Sequence, residues 1–279
     1  MIPVEIIDHI LSFLRPDFKT LKICSTVFPQ LADRHLYSHV SLCTSMASLY
    51  DDEVFYRPKF LDFVHQVKQH PHTLLSVQSI RVIVKVYPLA PLEHHIPNFL
   101  SIISKFLPAF SKLQSIDLQA WAPFSWDTLK PDFSAGLQKC LQSPLINQVS
   151  IHNISRFPLD LFDDCQNLKK LVLKGDFTGV STSSYPPLSS LHIDIPFGAD
   201  KSPAHLPKIV SWMNSRTLQS LSLCIHQCML SSSHKSIDLQ PLIEACAPTL
   251  LTLDLSFCDG GELRFILFYT QLIRFFFSS

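Results

Sequence analysis

The sequence predicts an α/β protein in which a short helical segment precedes a long series of parallel strands with connecting helices. Apolar residues at helical spacing in residues 3–36 predict the first part. A pattern of three apolar residues, which recurs seven times after residue 76, predicts the second part. Of the 279 residues, 47% are apolar and only 6 are glycine. This composition excludes a disordered polar chain and a collagen.

The first helix is predicted over residues 3–14. Pro3 suits its first turn, because the N–H that proline lacks is not used there. Two apolar stripes run along the helix, one of Ile6, Ile10 and Leu14 and one of Ile7, Leu11 and Leu14. A surface helix that packs on a single core needs only one such stripe. We therefore expect this helix to pack both on its own small core and on a partner.

Two more short helices and a strand are predicted before residue 43. Asp17 can cap a second helix, which carries Leu21, Cys24 and Val27. That helix ends before Pro29, since the residue before a proline avoids the helical conformation. A third helix restarts with Pro29 in its first turn and buries Leu31 and Leu36, and residues 36–42 then alternate like a strand. Because about 42 residues cannot bury an adequate core, this segment must pack on the rest of the chain or on a partner.

These residues resemble an F-box, most of all the F-boxes of filamentous fungi. Residues 2–14, which read IPVEIIDHILSFL, are similar to the first F-box helix. Residues 21–31, which read LKICSTVFPQL, resemble its second half, and residues 36–38 resemble its Leu-Tyr exit. The order and spacing of these motifs hold over residues 2–42.

The resemblance implies a non-catalytic receptor subunit of a Skp–cullin–F-box (SCF) ubiquitin ligase. The F-box would dock on the Skp adaptor and through it on cullin, while the rest of the chain holds a protein substrate near a ubiquitin-loaded E2 enzyme. The resemblance places adaptor contact or its support at Pro3, Ile6, Ile7, Ile10, Leu11, Leu14, Leu21, Cys24, Val27 and Leu31. The alternative for these residues is the ordinary core of a helical domain. The alternative function is an interaction scaffold that acts without ubiquitylation.

Three residues depart from the F-box pattern. Leu31 stands where the family usually has Trp, Phe28 stands where it often has Cys, and Pro29 replaces a commonly basic residue. Leucine fills less of the same apolar site, so the affinity for the adaptor is expected to be lower than usual.

In the repeated pattern, two residues of any kind separate the first apolar residue from the second, and one residue of any kind separates the second from the third. The seven units are Val77/Ile80/Val82, Leu113/Ile116/Leu118, Ile146/Val149/Ile151, Leu168/Leu171/Leu173, Leu188/Leu191/Ile193, Leu218/Leu221/Leu223 and Leu250/Leu253/Leu255. Their starts lie 36, 33, 22, 20, 30 and 32 residues apart. Repeats of about 20–29 residues with this pattern are typical of leucine-rich repeats, which these units resemble; two of the six intervals fit that length and four are longer. The longer intervals leave room for connecting helices at residues 96–110, 127–141, 206–214 and 239–246.

The domain organisation that follows is an F-box at 1–42, a helical linker at 43–75 and an irregular leucine-rich-repeat-like solenoid at 76–279. A generic α/β domain with parallel strands is the alternative to the solenoid. Solvent-facing strand positions are the expected substrate surface or a merely solvated face: Ser115, Asp117, Ser150, Lys170, Ser190, His192, Ser220, Ser222, Thr252 and Asp254.

No motif for catalysis or for a cofactor is found. The chain lacks a Walker-type glycine loop, a Rossmann glycine run, a His-Glu-x-x-His motif and a nucleophile elbow. Cys224, His226, Cys228 and His234 lack a second ligand pair at finger-like spacing, so we expect no metal. The 23 basic and 23 acidic residues balance, so neither nucleic acid nor a membrane is an expected partner.

The ends and the cysteines give the expected compartment. The N-terminus carries no secretory signal, so the 8 cysteines are expected to be reduced core residues of an intracellular protein, cytoplasmic or nuclear. Residues 259–279 are very apolar and lack the polar cap that a solenoid needs. We expect either a shortened gene product or a tail that folds back as a cap.

Overall fold

The fold was analysed in a computed structural model. It describes residues 3–14, 20–21, 29–44, 59–85, 95–129, 131–175, 177–178, 186–195, 217–226, 248–258 and 263–268. Within these ranges the chain is mixed α/β, with several helices and a mostly parallel sheet of nine strands, which confirms the predicted class at that level. The chain divides into two compact units. Unit 1 comprises Met1–Ala122 and Leu129–Cys140, and unit 2 comprises Pro123–Thr128 and Leu141–Ser279.

Unit 1 combines helices with the first strands of the sheet. Its elements are α1 (Val4–Leu14), α2 (Pro29–Leu36), β1 (His39–Cys43), α3 (Phe60–Gln69), a 3-10 helix (Pro71–Ser76), β2 (Ser79–Val84), α4 (His95–Phe106), a 3-10 helix (Leu107–Ala109), β3 (Ser115–Ser125) and α5 (Pro131–Leu141). The last residues of β3 and of α5, Pro123–Ser125 and Leu141, belong to unit 2. The start of α2 at Pro29 and the burial of Leu36 agree with the prediction. Of the predicted middle helix, Thr20 and Leu21 are helical, and residues 15–19 and 22–28 lie outside the described residues.

The strand predicted at residues 36–42 is shifted, and this prediction was wrong at its start. The N–H of Tyr37 donates to the carbonyl of Asp33 at 2.9 Å, which keeps Leu36 in the last turn of α2. The hydroxyl of Ser38 donates to the carbonyl of His35 at 2.8 Å and closes that turn. The strand β1 therefore begins only at His39.

β1 belongs to the sheet as well as to the N-terminal segment. It pairs in parallel with β2, from His39 opposite Ser79 to Cys43 opposite Ile83. Tyr37, Val40 and Leu42 have the spacing of the seven repeats and are all buried. This additional repeat was not predicted from the sequence. The predicted end of the F-box, at residue 42, falls inside β1.

The helices of unit 1 pack closely enough to require a glycine. A Cβ atom at Gly136 in α5 would lie 2.8 Å from the carbonyl oxygen of Ser104 in α4. Real Cβ atoms do not approach backbone oxygen so closely, so the backbones of the two helices are in direct contact.

Unit 2 is built mainly of strands. They are β4 (Gln148–Ser155), β5 (Phe157–Pro158), β6 (Lys170–Lys174), β7 (Phe177–Thr178), β8 (Ser190–Ile195), β9 (Ser220–His226), β10 (Thr252–Cys258) and β11 (Leu263–Phe268). The sheet order is β4-β6-β8-β9-β10-β11, and β5 and β7 form a separate parallel pair. The pairs from β4 to β10 are parallel.

The apolar pattern lies in register across these strands. Val149, Leu171, Leu191, Leu221 and Leu253 occupy one row, and Ile151, Leu173, Ile193, Leu223 and Leu255 occupy the next. The side chain of Leu255 lies outside the described residues, and the rest of both rows is buried. In the two predicted repeats of unit 1, which begin at Val77 and Leu113, all three apolar residues are buried as well. Within unit 2, each repeat thus buries its apolar residues beside those of the neighbouring strand.

A backbone motif repeats at the start of β2, β3, β6, β8, β9 and β10. The N–H groups of Ser189 and Ser190 both donate to the carbonyl of Lys169, at 2.8 and 2.9 Å. The N–H groups of Gln219 and Ser220 bond to Ser189 in the same way, at 2.9 and 3.0 Å. Such a motif fixes each strand on its predecessor and keeps the apolar rows aligned.

The last described segment forms a strand that turns back. β11 pairs antiparallel with β10, from Thr252 opposite Phe268 to Phe257 opposite Leu263. The predicted helices at 206–214 and 239–246, and the aromatic run at 275–277, lie outside the described residues. The predicted helices at 96–110 and 127–141 correspond to α4 and α5, although α5 begins only at Pro131 because Trp126–Thr128 form a 3-10 turn.

Candidate functional site

An apolar stripe on the outer side of α1 is the first candidate site. Ile6 is 50% exposed and Ile10 is 44% exposed, and the helix repeat places them on one face, one turn apart. Pro3, one turn before Ile6, is also exposed. These three residues are called the α1 stripe. Large apolar side chains that are exposed side by side are typical of a protein-binding surface.

The opposite side of α1 is fixed to the body of unit 1. Leu11 is only 9% exposed. The Asp8 carboxylate accepts a hydrogen bond from Nε2 of His35 at 2.8 Å and another from Nη1 of Arg34 at 3.2 Å. Both donors lie in the last turn of α2. The helix therefore presents one face to its own protein and another to solvent.

Polar residues border the α1 stripe. Glu5 and His9 are exposed and lie beside Ile6 on the helix, and Ile7 is half-buried on the other border. An apolar centre with a polar rim is the usual composition of a protein–protein interface.

The ten adaptor residues implied by the F-box resemblance do not share one environment. Pro3, Ile6 and Ile10 are exposed, and Ile7 is half-buried. Leu11 and Leu21 are buried inside unit 1, where they can support the surface but not contact a partner directly. Cys24 and Val27 lie outside the described residues, as do the side chains of Leu14 and Leu31.

The polar side of the unit 2 strands is the second candidate site; only Lys170 is exposed there, and the other residues named below are half-buried. Its residues also lie in register. Lys170, Ser190, Ser220 and Thr252 form one row, His192, Ser222 and Asp254 form the next, and Lys174 and Asp194 lie beyond. These residues are called the polar face. Lys174 Nζ lies 3.9 Å from Oδ2 of Asp194, so two of its charges are already close to each other.

His192 is the most constrained side chain of the polar face. Its Nδ1 lies 2.8 Å from the hydroxyl oxygen of Ser222. Burial lowers the pKa of His192, and the nearby Lys174 ammonium lowers it further, against the opposing carboxylates of Asp194 and Asp254. The imidazole is therefore neutral at neutral pH.

The Ser222–His192 pair does not form a catalytic triad. A triad needs the histidine between the serine and the carboxylate, so that the carboxylate can orient the imidazole. The strand order β8-β9-β10 instead places Ser222 between His192 and Asp254. The other ring nitrogen of His192, Nε2, is buried and has no hydrogen-bond partner among the described residues, so no carboxylate orients the imidazole.

Two positions predicted to face solvent are buried instead. The Asp117 side chain is 12% exposed, and its Oδ2 accepts from Nε of Arg81 at 2.7 Å and from Nε2 of Gln119 at 2.9 Å. Arg81 lies directly opposite Asp117 on the neighbouring strand, and this cross-strand pairing covers the carboxylate. Ser150 is also buried. Neither residue is available to a substrate.

The described cysteines and histidines do not form a metal site. Within the described ranges, no group of three His, Cys, Asp or Glu residues could hold a metal ion. Burial raises the pKa of the Cys140 and Cys165 thiols to about 12, so both are protonated and unreactive.

Comparison with protein-family models, with curated proteins and with solved structures found no match to this chain. In the part of the chain that the structure describes, no helix has both the length and the apolar composition needed to span a membrane. The two candidate sites therefore have to be interpreted from their own geometry.

The residues that hold the first site in place were not predictable from the sequence. Asp8 and His35 are 27 positions apart, and nothing in their local sequence signals that they meet. The exposed Trp121 was also missed; the Lys85 ammonium lies 4.0 Å from the centre of its ring.

Proposed function

We propose that this protein is a non-catalytic substrate-recognition subunit of an SCF-type ubiquitin ligase. The α1 stripe binds the Skp adaptor, and the polar face contributes to binding a protein substrate. One observation carries the proposal: Ile6 and Ile10 are exposed on a helix whose other face is held by Asp8 and Leu11. The F-box resemblance of residues 2–42 supplies the identity of the partner.

The energetics suit a docking role. Complete burial of one isoleucine side chain contributes about 1.5–3 kcal/mol. Ile6 and Ile10 are each about half exposed, so covering both adds about 2 kcal/mol to an interface. That is a useful anchor, but it needs further contacts to give stable binding.

The proposed subunit acts by proximity. It performs no covalent chemistry, and it raises the effective concentration of a bound substrate near the E2 enzyme. The polar face fits this role because it offers hydroxyls and charges of both signs without a catalytic arrangement.

The double substitution Ile6→Asp with Ile10→Asp tests the docking surface. It should reduce capture of the full chain by an immobilised Skp adaptor roughly 100-fold or more, because two carboxylates would be desolvated without partners. Both residues are exposed in the free protein, so folding should be unaffected.

The matched control is Leu61→Asp, which places a carboxylate on α3 at a leucine that is 70% exposed. It should leave adaptor capture unchanged. Equal capture of the wild-type chain and the double variant would contradict the assigned surface. If the adaptor binds but substrate turnover does not depend on cullin, the protein is an F-box scaffold without ubiquitylation.

A further inference from the structure

We propose that Asp8 is a positioning residue, which locks α1 onto α2 so that the α1 stripe is presented to the adaptor in a fixed orientation. This inference rests on the proposed function. Asp8 with its two donors, Arg34 and His35, is called the Asp8 clip.

The clip uses both oxygens of one carboxylate. Oδ1 accepts from His35 at 2.8 Å and Oδ2 accepts from Arg34 at 3.2 Å. The two donors are consecutive residues, so together they fix the rotation of α1 as well as its distance from α2. The Asp8 side chain is one-third exposed and that of His35 is 20% exposed, so the contact between them is partly shielded from water. The Arg34 side chain is 56% exposed, so its contact with Asp8 is open to solvent.

The position of Asp8 on the helix is what gives the clip its effect. At 100° per residue, Asp8 points about 160° away from both Ile6 and Ile10. A contact on that side therefore turns the α1 stripe outward. Leu11, about 60° from Asp8 around the helix, is buried and contributes the apolar part of the attachment.

The length of α1 explains why a clip is needed. The helix has 11 residues, and an isolated helix of that length is marginal in water. Orientation of a short helix therefore depends on its attachments. A surface that is already oriented loses less conformational entropy when it binds, and this raises affinity without any new contact.

Asp8→Asn tests the clip at constant size. An amide group offers one acceptor instead of two and turns its NH2 toward a donor, so one of the two contacts is lost. In the free full chain, amide hydrogen exchange within residues 4–14 should become faster. Affinity for the Skp adaptor should fall about fivefold, as expected for loss of a partly exposed charged contact.

Two variants serve as controls. Asp62→Asn removes the same charge from an exposed position on α3 and should change neither measurement. Asp8→Glu keeps the carboxylate and should retain part of the protection and of the affinity, whereas a role of net charge alone would make Asp62→Asn and Asp8→Asn equivalent.

The exchange measurement separates this inference from the proposed function. Unchanged exchange in Asp8→Asn overturns the clip, whether or not the adaptor binds. Faster exchange with unchanged adaptor affinity overturns the positioning role. Failure of the wild-type chain to bind the adaptor overturns the proposed function, while the exchange result still decides whether the clip holds α1.

Discussion

His192 shows how one half-buried side chain can link stability to pH. Its pKa is lowered in the folded protein, chiefly by burial, from the ordinary value of 6.5. When the pH falls below that value, the unfolded chain binds a proton that the folded chain resists. Folding stability should therefore decrease as the pH falls from about 6.5.

The substitution His192→Gln tests this linkage. Glutamine can still hydrogen-bond to Ser222 but does not titrate, so the variant should lose less thermal stability than the wild-type chain between pH 7.5 and pH 5. Melting temperatures measured across that range check the prediction. The control is His65→Gln at an exposed histidine, and its melting temperature should vary with pH as that of the wild-type chain does. The same pH dependence of the melting temperature in all three chains would contradict the role of His192.

The sequence predicted the environment of apolar side chains better than that of polar side chains. The burial of Leu171 and Leu191 follows from their spacing alone, because apolar side chains need only a common face. The ion pair between Arg81 and Asp117 joins residues 36 positions apart and exists only because β2 and β3 align in register. Patterns in the sequence do not report such partners, so Asp117 was wrongly expected to face solvent.

At the scale of elements, the contact between α4 and α5 makes a specific demand on the sequence. Gly136→Ala would force a Cβ atom against the carbonyl of Ser104. Alanine gains about 1 kcal/mol in helix propensity, but overpacking costs about 1–3 kcal/mol, so a net loss is expected.

The measurement for Gly136→Ala is the free energy of unfolding by urea, with Gln138→Ala on the exposed side of the same helix as the control. The control should be neutral or slightly stabilising. A Gly136→Ala variant that is as stable as its control would show that the helices can separate at no cost.

The position of each element was more predictable than its ends. The helix predicted over residues 3–14 is α1, because proline and apolar spacing both signal it. The strand at residues 36–42 was placed too early, since a local hydrogen bond from Tyr37 to Asp33 extends α2. Alternation over a few residues does not distinguish the last turn of a helix from the start of a strand.

At the scale of the whole molecule, repetition made the architecture predictable. Seven apolar units predicted parallel strands, and the structure aligns those of unit 2 in two continuous buried rows. The unit at Tyr37, Val40 and Leu42 was overlooked because it lies within the segment that resembles an F-box. Apolar spacing identified the strands, whereas the partner of the exposed α1 stripe follows from resemblance and remains a proposal.

The most direct test of the central claim is an amide hydrogen-exchange footprint of the full chain with and without the Skp adaptor. The adaptor should slow exchange within residues 4–14, which carry Ile6 and Ile10, and should leave exchange in the strands β8, β9 and β10 unchanged. Protection confined to those strands, or no protection at all at saturating adaptor, would contradict it.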